Sequence, residues 1–282
     1  MRSFAFKLFL RVTLWHLLCL IVRLLLAAWK GNLGMMGALI VSGGSRGIGA
    51  ATAICAAREG WDVAINYAQD ENAAISVADQ VRSLGRRAII VKGDMCNEED
   101  IQRLFDDSEK ELGPLKGLVT SAGTTGKTVR IEDITVEAIN RVMQLNVVGL
   151  MLCCREAVRR MSTKNGGGGG SIVNLGSAAS RLGGPNEFVH YATSKGAVDS
   201  FTLGLAREVA AEGVIVNAVS PGMIDTEIHA SAGLPNRAVE AVPGIPIRRV
   251  GQPEEVAEAI VWLLSKGASY CAGAIIPVTG GR

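Results

Sequence analysis

Three consecutive pieces restrict this chain most: the run Ala38-Leu39-Ile40-Val41, the turn Ser42-Gly43-Gly44-Ser45-Arg46-Gly47-Ile48-Gly49, and the helix-forming stretch Ala50–Gly60. A short unbroken apolar run ahead of a turn reads as a strand buried on both faces. Such a strand needs a sheet around it and helices over both sides. The glycines behind it, spaced Gly-x-x-x-Gly-x-Gly, let the backbone turn sharply and let another molecule come close. Gly60 closes the helix as a C-cap. This succession gathers unpaired N–H groups and the positive end of a helix dipole at one place, which suits the pyrophosphate of a dinucleotide. In a chain with 34 glycines a glycine-rich turn is weak by itself. Its place between a strand and a helix gives it weight.

The alternation continues. Asp62–Tyr67, Ala88–Val91, Leu118–Thr120, Ile172–Asn174, Val214–Val219 and Ala274–Pro277 are further strand candidates, and the helices between them include Glu98–Leu112 and Val136–Met161. Alternating strands and helices imply a parallel sheet covered on both faces. The expected fold class is α/β: a Rossmann-type, doubly wound, seven-stranded parallel sheet with helices on both faces, in one domain. A chain of 282 residues can bury one large core. A net charge of +2 leaves no broad basic footprint, so no nucleic-acid partner is expected. Six scattered cysteines without a C-x-x-C pair suit reduced, mostly buried thiols in a cytoplasmic protein. His16, His190 and His229 lack clustered partners, so no metal centre is expected. His190 is expected to line a pocket or meet solvent.

The reactive groups lie further along. Tyr191 and Lys195, in Tyr191-Ala192-Thr193-Ser194-Lys195, share one helix face. A phenol ordinarily loses its proton near pH about 10, and a fixed ammonium beside it favours the phenolate. A tyrosine tuned in this way exchanges a proton with a carbonyl oxygen or an alcohol. The spacing alone also occurs on ordinary solvated helices. Two further positions change its meaning. Ser177 follows the strand Ile172-Val173 and puts a hydroxyl at a strand's C-terminal end, where open parallel sheets bind ligands. Asn146 lies in Leu145-Asn146-Val147-Val148-Gly149. With the glycine turn, Asn146, Ser177 and the Tyr-x-x-x-Lys pair in this order, the chain resembles the short-chain dehydrogenase/reductase family in its compact single-domain branch. It is similar to bacterial oxidoreductases of the glucose 1-dehydrogenase-like and 3-oxoacyl-carrier-protein reductase-like kinds. The resemblance runs from about Met36 to Arg282.

The resemblance implies a tetrad of Asn146, Ser177, Tyr191 and Lys195 and an NAD(P)-dependent hydride transfer between nicotinamide and a carbonyl or secondary alcohol. Tyr191 is the implied general acid or base, and Ser177 the group that polarises the carbonyl. Lys195 is expected to lower the Tyr191 pKa and hold the ribose hydroxyls. Asn146 is expected to keep a helix locally distorted and anchor a water. Ser180 competes for the serine role. Cofactor contacts are expected from Gly43, Ser45, Arg46, Gly47, Ile48 and Gly49 in the turn, and from Asn66 and Tyr67 at the second strand's end. Further contacts fall to Asp94 with Met95, to Ser121-Ala122-Gly123, and to Pro221, Gly222, Ile224 and Thr226, beside Tyr191 and Lys195 themselves. Asp94 also reads as a plain turn residue and Pro221-Gly222 as a common loop pair. Ser121 stands where the family usually has asparagine, a change expected to touch the stability of the central sheet. Asn66, Tyr67 and Ala68 carry no carboxylate for a ribose 2′-hydroxyl, and Asp70 sits far into the loop. Arg46 is suited to a 2′-phosphate, so NADP(H) is favoured and NAD(H) stays open, as does Arg46 as a solvated loop charge.

Other segments carry less specific messages. Gly166–Gly170 reads as a flexible surface turn. The stretch from Asp225 to Gly251 reads as a mobile lid, with His229 and Leu234 shaping specificity for a small carbonyl or alcohol substrate. Val147–Val158 and Ala197–Val209 hold more apolar residues than one buried stripe needs, in keeping with the homotetramer that the resemblance implies; ordinary core packing is the alternative. Residues 1–35 are an apolar extension punctuated by Arg2, Lys7, Arg11, Arg23 and Lys30. It reads as an upstream-start artefact ahead of Met35 or Met36, as a basic helix lying on a membrane surface, or as a signal-anchor. The second reading implies a peripheral membrane location in place of a cytoplasmic one. A non-catalytic dinucleotide sensor or scaffold is the alternative to an enzyme.

Overall fold

Seven runs dominated by Val, Ile, Leu and Ala become the strands of one sheet: β1 Gly37–Ser42, β2 Trp61–Tyr67, β3 Ala88–Lys92, β4 Leu115–Thr120, β5 Gly170–Leu175, β6 Val214–Pro221 and β7 Ile275–Val278. The structure, a computed structural model, describes residues 36–282, and the extension 1–35 lies outside the described residues. Every strand pairing is parallel, and the spatial order is β3-β2-β1-β4-β5-β6-β7. The fold is the expected doubly wound α/β sheet in one domain. Because the order reverses between β1 and β4, the loops leaving these two strands diverge and open a crevice at their C-terminal ends.

Helices α1 Gly47–Arg58, α2 Glu71–Ser83 and α3 Glu98–Leu112 follow β1, β2 and β3. Their starts and stops follow local chemistry. Asp70 Oδ1 accepts from Ala73 N at 2.9 Å and Asn97 Oδ1 from Glu99 N at 2.8 Å, two side-chain N-caps. Gly60 takes φ 98°, the left-handed conformation expected of a glycine just past a helix end. The expected helix Val136–Met161 is three pieces in line: α4 Val136–Met143, a π-helical turn Gln144–Gly149, and α5 Leu150–Met161. The long helix α7 Val189–Val209 follows the short α6 Ala179–Leu182. Two short helices, α8 Ile228–Ser231 and α9 Arg237–Glu240, interrupt the stretch after β6 before α10 Pro253–Leu264.

The core is built from the strands' alternating faces against α3, α5 and α7. Leu39, Ile40, Leu118 and Ile172 of the strands, with Phe105 and Met161 of the helices, are fully buried. At Gly117 of β4 the fit is tight: a methyl there would lie 2.7 Å from Leu39 Cδ1 and 3.1 Å from the Trp61 ring. One polar clamp crosses this apolar layer. Asn174 of β5 accepts from Thr120 Oγ1 of β4 at 2.8 Å and from Cys154 Sγ of α5 at 3.4 Å, and donates to Thr202 Oγ1 of α7 at 3.0 Å. The sheet centre is thus tied through Thr120 and Asn174, while Ser121 makes no side-chain hydrogen bond within the described residues.

The glycine run before β5 also departs from expectation. Gly166 and Gly169 take φ 87° and 70°, and Lys116 Nζ donates to the carbonyls of Gly168 at 2.6 Å and Gly169 at 3.3 Å. A methyl on Gly167 would collide with the backbone of Arg160 and Met161. The run is a packed turn, and the glycines are there because backbone approaches backbone. Removing the Asn174 clamp leaves two buried hydroxyls without one of their partners, and each such loss costs about 1–3 kcal/mol. Asn174→Ala is therefore expected to lower stability by about 2–4 kcal/mol in urea denaturation.

Candidate active site

The glycine turn comes first. Gly43 and Gly47 hold φ 61° and 53°. A methyl on Gly43 would lie 2.8 Å from Ala122 Cα, and one on Gly49 would collide with the Gly43 carbonyl. The first helical bond of α1 runs from Ala50 N to Arg46 O at 3.2 Å, and no side chain caps this helix. The N–H groups of Gly47, Ile48 and Gly49 are therefore left for an anion outside the helix. Ser45 is half-buried on the same turn. The cradle needs glycine at each of these points, so the residues present fit a pyrophosphate.

Asn66 and Tyr67 do something other than expected. Asn66 is buried, its Oδ1 accepts from Gly43 N at 3.1 Å, and its Nδ2 donates to Gly93 O at 3.0 Å and Val91 O at 3.3 Å. Its side chain braces the glycine turn against the end of β3 and is spent there. Tyr67 is buried too, with burial and the neighbouring Glu71 carboxylate raising its pKa. Met95 also packs inward, its sulfur 3.7 Å from Cys153 Sγ. Asp94 stays exposed, with Oδ1 accepting from Cys96 N at 2.9 Å, a turn role. Asp70, as the α2 cap, is committed elsewhere.

On the β4 side, Ala122 N donates to Ser42 Oγ at 3.2 Å and joins the two diverging loops. Ser121 and Ala122 are half-buried there. Gly123 faces Asn146 and Lys195: a methyl on it would lie 3.2 Å from Asn146 Oδ1 and 3.8 Å from Lys195 Nζ. Pro221 ends β6, and Gly222 just past it is pinned against Thr279, where a methyl would lie 2.8 Å from Cα. Ile224 is buried in a bridge with Gly251, and Thr226 touches the turn at Gly47.

The tetrad converges at the C-terminal ends of β4 and β5. Asn146 is fully buried in the π-helical turn, as a locally distorted helix requires. Its Oδ1 accepts from Thr124 N at 2.9 Å, and its Nδ2 donates to Thr124 O at 2.8 Å and Ser194 Oγ at 3.0 Å. All three of its side-chain hydrogen bonds go to Thr124 and Ser194, so it fastens the loop after β4 to α7. Ser177 accepts from Ala179 N at 3.1 Å and lies beside the Tyr191 phenol. Ser180 donates to Ser177 O at 2.9 Å. Lys195 is buried, and its Nζ donates to Leu175 O at 2.6 Å.

The electrostatics correct one expectation. Burial raises the Tyr191 pKa above the ordinary phenol value, and the Ser177 hydroxyl opposes that rise. Lys195 contributes no lowering. Its Nζ is 5.9 Å from the Tyr191 ring centroid and turned to a carbonyl, and burial brings its own pKa down to about 8. Tyr191 is therefore a protonated phenol at neutral pH. His190, next in sequence, is buried under the loop after β4 with its pKa lowered by burial, and meets neither solvent nor Tyr191's partners. A methyl on Gly126 would lie 2.9 Å from its Nε2.

The segment from Asp225 to Gly251 closes over the crevice with specific contacts. Glu227 pairs with Arg46 at 3.2 Å across the glycine turn. Arg237 of α9 pairs with Glu187 and stacks 4.8 Å from the Phe188 ring centroid, and Phe188 meets Tyr191 edge to face at 6.4 Å. Burial and Arg237 lower the His229 pKa. Sequence reasoning missed Arg237 and Thr124. Arg237 sits among small residues with no motif, and Thr124 acts through its backbone, which no residue type reveals. Among the described residues no cluster of three potential metal ligands occurs.

The chain is similar to known oxidoreductases in sequence and fold. A family model described as enoyl-(acyl carrier protein) reductase matches residues 43–282. An uncharacterized oxidoreductase of Escherichia coli (strain K12), YgfF, is 50% identical over 247 residues, 88% of this chain and 100% of its own. Cis-4-hydroxycyclohexanecarboxylate dehydrogenase of Sinomonas cyclohexanicum is 38% identical over 86% of this chain and 94% of its own. Among solved structures, a blue fluorescent protein from a metagenomic library in complex with NADPH superposes with TM-score 0.79 at 30% identity, over 87% of this chain and 97% of its own.

Proposed function

The chain belongs to the short-chain dehydrogenase/reductase family of oxidoreductases, and from that premise we propose that it is an NADP(H)-preferring carbonyl reductase with Tyr191 as its general acid. The observation that carries this reading is the meeting of Asn146, Ser177, Tyr191 and Lys195 at the ends of β4 and β5, beside a turn only glycines can form. The nicotinamide, when bound, supplies the hydride. Gly43, Gly47 and Gly49 would hold its pyrophosphate, and Asp94 with the backbone near Met95 its adenine. Lys195 Nζ would reach the ribose hydroxyls from its place under Gly123. Arg46 would exchange Glu227 for a 2′-phosphate, a stronger bidentate partner than an exposed carboxylate.

The rest of the chemistry belongs to this chain. Ser177 donates a hydrogen bond to the substrate oxygen as negative charge develops there. Tyr191, held protonated by burial, gives that oxygen its proton. Reduction uses the protonated phenol and oxidation the phenolate, so the resting state favours ketone reduction at neutral pH. Asn146 keeps the pieces in register by tying Thr124 to Ser194. The name of the Sinomonas relative supports a small secondary alcohol or its ketone as the substrate pair. Arg237 and His229 on the closing segment, with Phe188 ahead of α7, would sort substrates by shape. The non-catalytic alternative draws no support from a site with its proton donor in place.

Self-association and a reducing compartment complete the reading. Val148, Met151 and Leu203 are exposed on α5 and α7 and on the π-helical turn, the two helical faces expected to pair between subunits. Burial raises the Cys55 and Cys153 thiols to about 12, inert forms that suit a reducing cytoplasm. Sedimentation equilibrium is expected to give four chains per particle, and a monomer ends that assignment.

Two substitutions test the chemistry. Tyr191→Phe is expected to lower turnover of a ketone panel with NADPH at least about a thousandfold while NADPH affinity stays within about threefold, measured by fluorescence. Retained turnover removes the general-acid assignment. Arg46→Ala is expected to weaken NADPH binding about ten- to a hundredfold and leave NADH unchanged. Equal loss with both cofactors returns Arg46 to a solvated loop charge.

A further inference from the structure

Lys195 poses an electrostatic problem that the tetrad does not solve. Its side chain is 5% exposed, and its one direct hydrogen bond goes to a neutral carbonyl, Leu175 O, at 2.6 Å. No carboxylate stands within ion-pair distance of it among the described residues. A buried ammonium without negative charge nearby is expensive. One turn along the same face of α7 stands Asp199. Its Oδ1 is buried and lacks any hydrogen-bond partner, and so does Ser220 Oγ at the end of β6. Both atoms face one point: a methyl on Gly176 would lie 3.1 Å from Asp199 Oδ1 and 2.9 Å from Ser220 Oγ. Gly176 directly follows Leu175, whose carbonyl receives Lys195. Lysine and aspartate therefore flank adjacent residues of the strand end that leads into Ser177.

We propose that Asp199 is a positioning residue that supplies the negative counter-charge for the buried Lys195 ammonium, from a polar pocket it shares with Ser220 beneath Gly176. The proposal rests on the reading of Lys195 as the ammonium of the active site. Two orphaned oxygens aimed at one glycine make a pocket that tolerates a charged carboxylate, because Ser220 can turn its hydroxyl toward it directly or through a water. The groups facing Lys195 from other elements carry no charge: Asn146 from the π-helical turn, the Gly123 backbone after β4, and Leu175 of β5. On α7 itself the titratable neighbours are Tyr191, neutral at working pH, and Asp199. The Asp199 charge raises the Lys195 pKa against the larger lowering by burial.

The sign of the pH dependence follows. The ammonium persists in the folded protein only up to about pH 8, so attraction to Asp199 is present below that and fades above it. Thermal denaturation of the full chain carrying Asp199→Asn, Lys195→Met, or both tests the pair as a cycle. At neutral pH, Asp199→Asn is expected to lower Tm by about 3 °C or more with Lys195 present and by less than about 1 °C with Lys195→Met. Asp199→Glu is expected to recover most of the loss, and the loss is expected to shrink or reverse well above pH 8. Equal losses in both backgrounds, or a loss independent of pH, overturn the proposal. If Asp199→Asn alone does not fold, folding of the double variant supports the pair, and failure of both overturns it. The cycle reads stability and not turnover. A coupled pair in an inactive protein would sink the enzyme reading alone, and activity without coupling would sink only this proposal.

Discussion

The close approach of two backbones, Gly43 against Ala122, is the constraint on which the rest depends. It occurs where the sheet order reverses, between β1 and β4, and Ala122 N ties it to Ser42 Oγ at 3.2 Å. A side chain at Gly43 would push the two loops apart. With glycine there, the loop after β1 turns into α1 and the loop after β4 turns toward Asn146. The crevice between them exists because neighbouring connections leave in opposite directions. Asn66 fixes one wall by gripping Gly43 N and the end of β3, and Asn146 fixes the other by gripping Thr124. Two buried amides, each nearly saturated within the protein, hold a site whose reactive groups lie elsewhere.

That division between holding and reacting explains the electrostatics. Tyr191 and Lys195 sit where burial opposes charge on both, so each is driven toward its neutral form, the phenol upward and the ammonium down to about 8. An apolar environment of this kind makes the charge state responsive to what enters the crevice. A donor such as Ser177, or a counter-charge such as Asp199, then acts with little competition from water. Lys195 is turned to a strand carbonyl and not to the phenol, so its influence on Tyr191 depends on what draws Nζ forward.

The closing segment is attached at two charged points. Arg46–Glu227 joins it to the glycine turn, and Arg237–Glu187 joins it to the loop ahead of α7. Exposed pairs of this sort are weak, about 0–1 kcal/mol each, so the segment is held lightly at the glycine turn. The Arg237 contact is better buried and stacks on Phe188, which itself touches Tyr191. The closing segment and the Tyr191 ring are thereby linked through one aromatic ring.

The amino-acid sequence by itself determined the strands, the helices and their alternation, since each rests on local periodicity and on glycine at sharp turns. It also determined which residues meet: Asn146, Ser177, Tyr191 and Lys195 follow from an ordered motif. What only the tertiary structure decided is where each side chain spends its hydrogen bonds. Asn66 and Tyr67 stand at the expected strand end and Met95 lies in the loop after β3, yet their side chains are buried, because register on a strand fixes position and neighbours fix direction. Ser180 and Ser177 differ by a helical turn's geometry that no composition reveals. The Tyr191 and Lys195 pKa values depend on burial by residues far apart in the chain, so a spacing rule predicted the wrong sign for Tyr191. Asp199 carried its signal in the same helical spacing as Lys195. Only the pocket under Gly176 gave that spacing meaning.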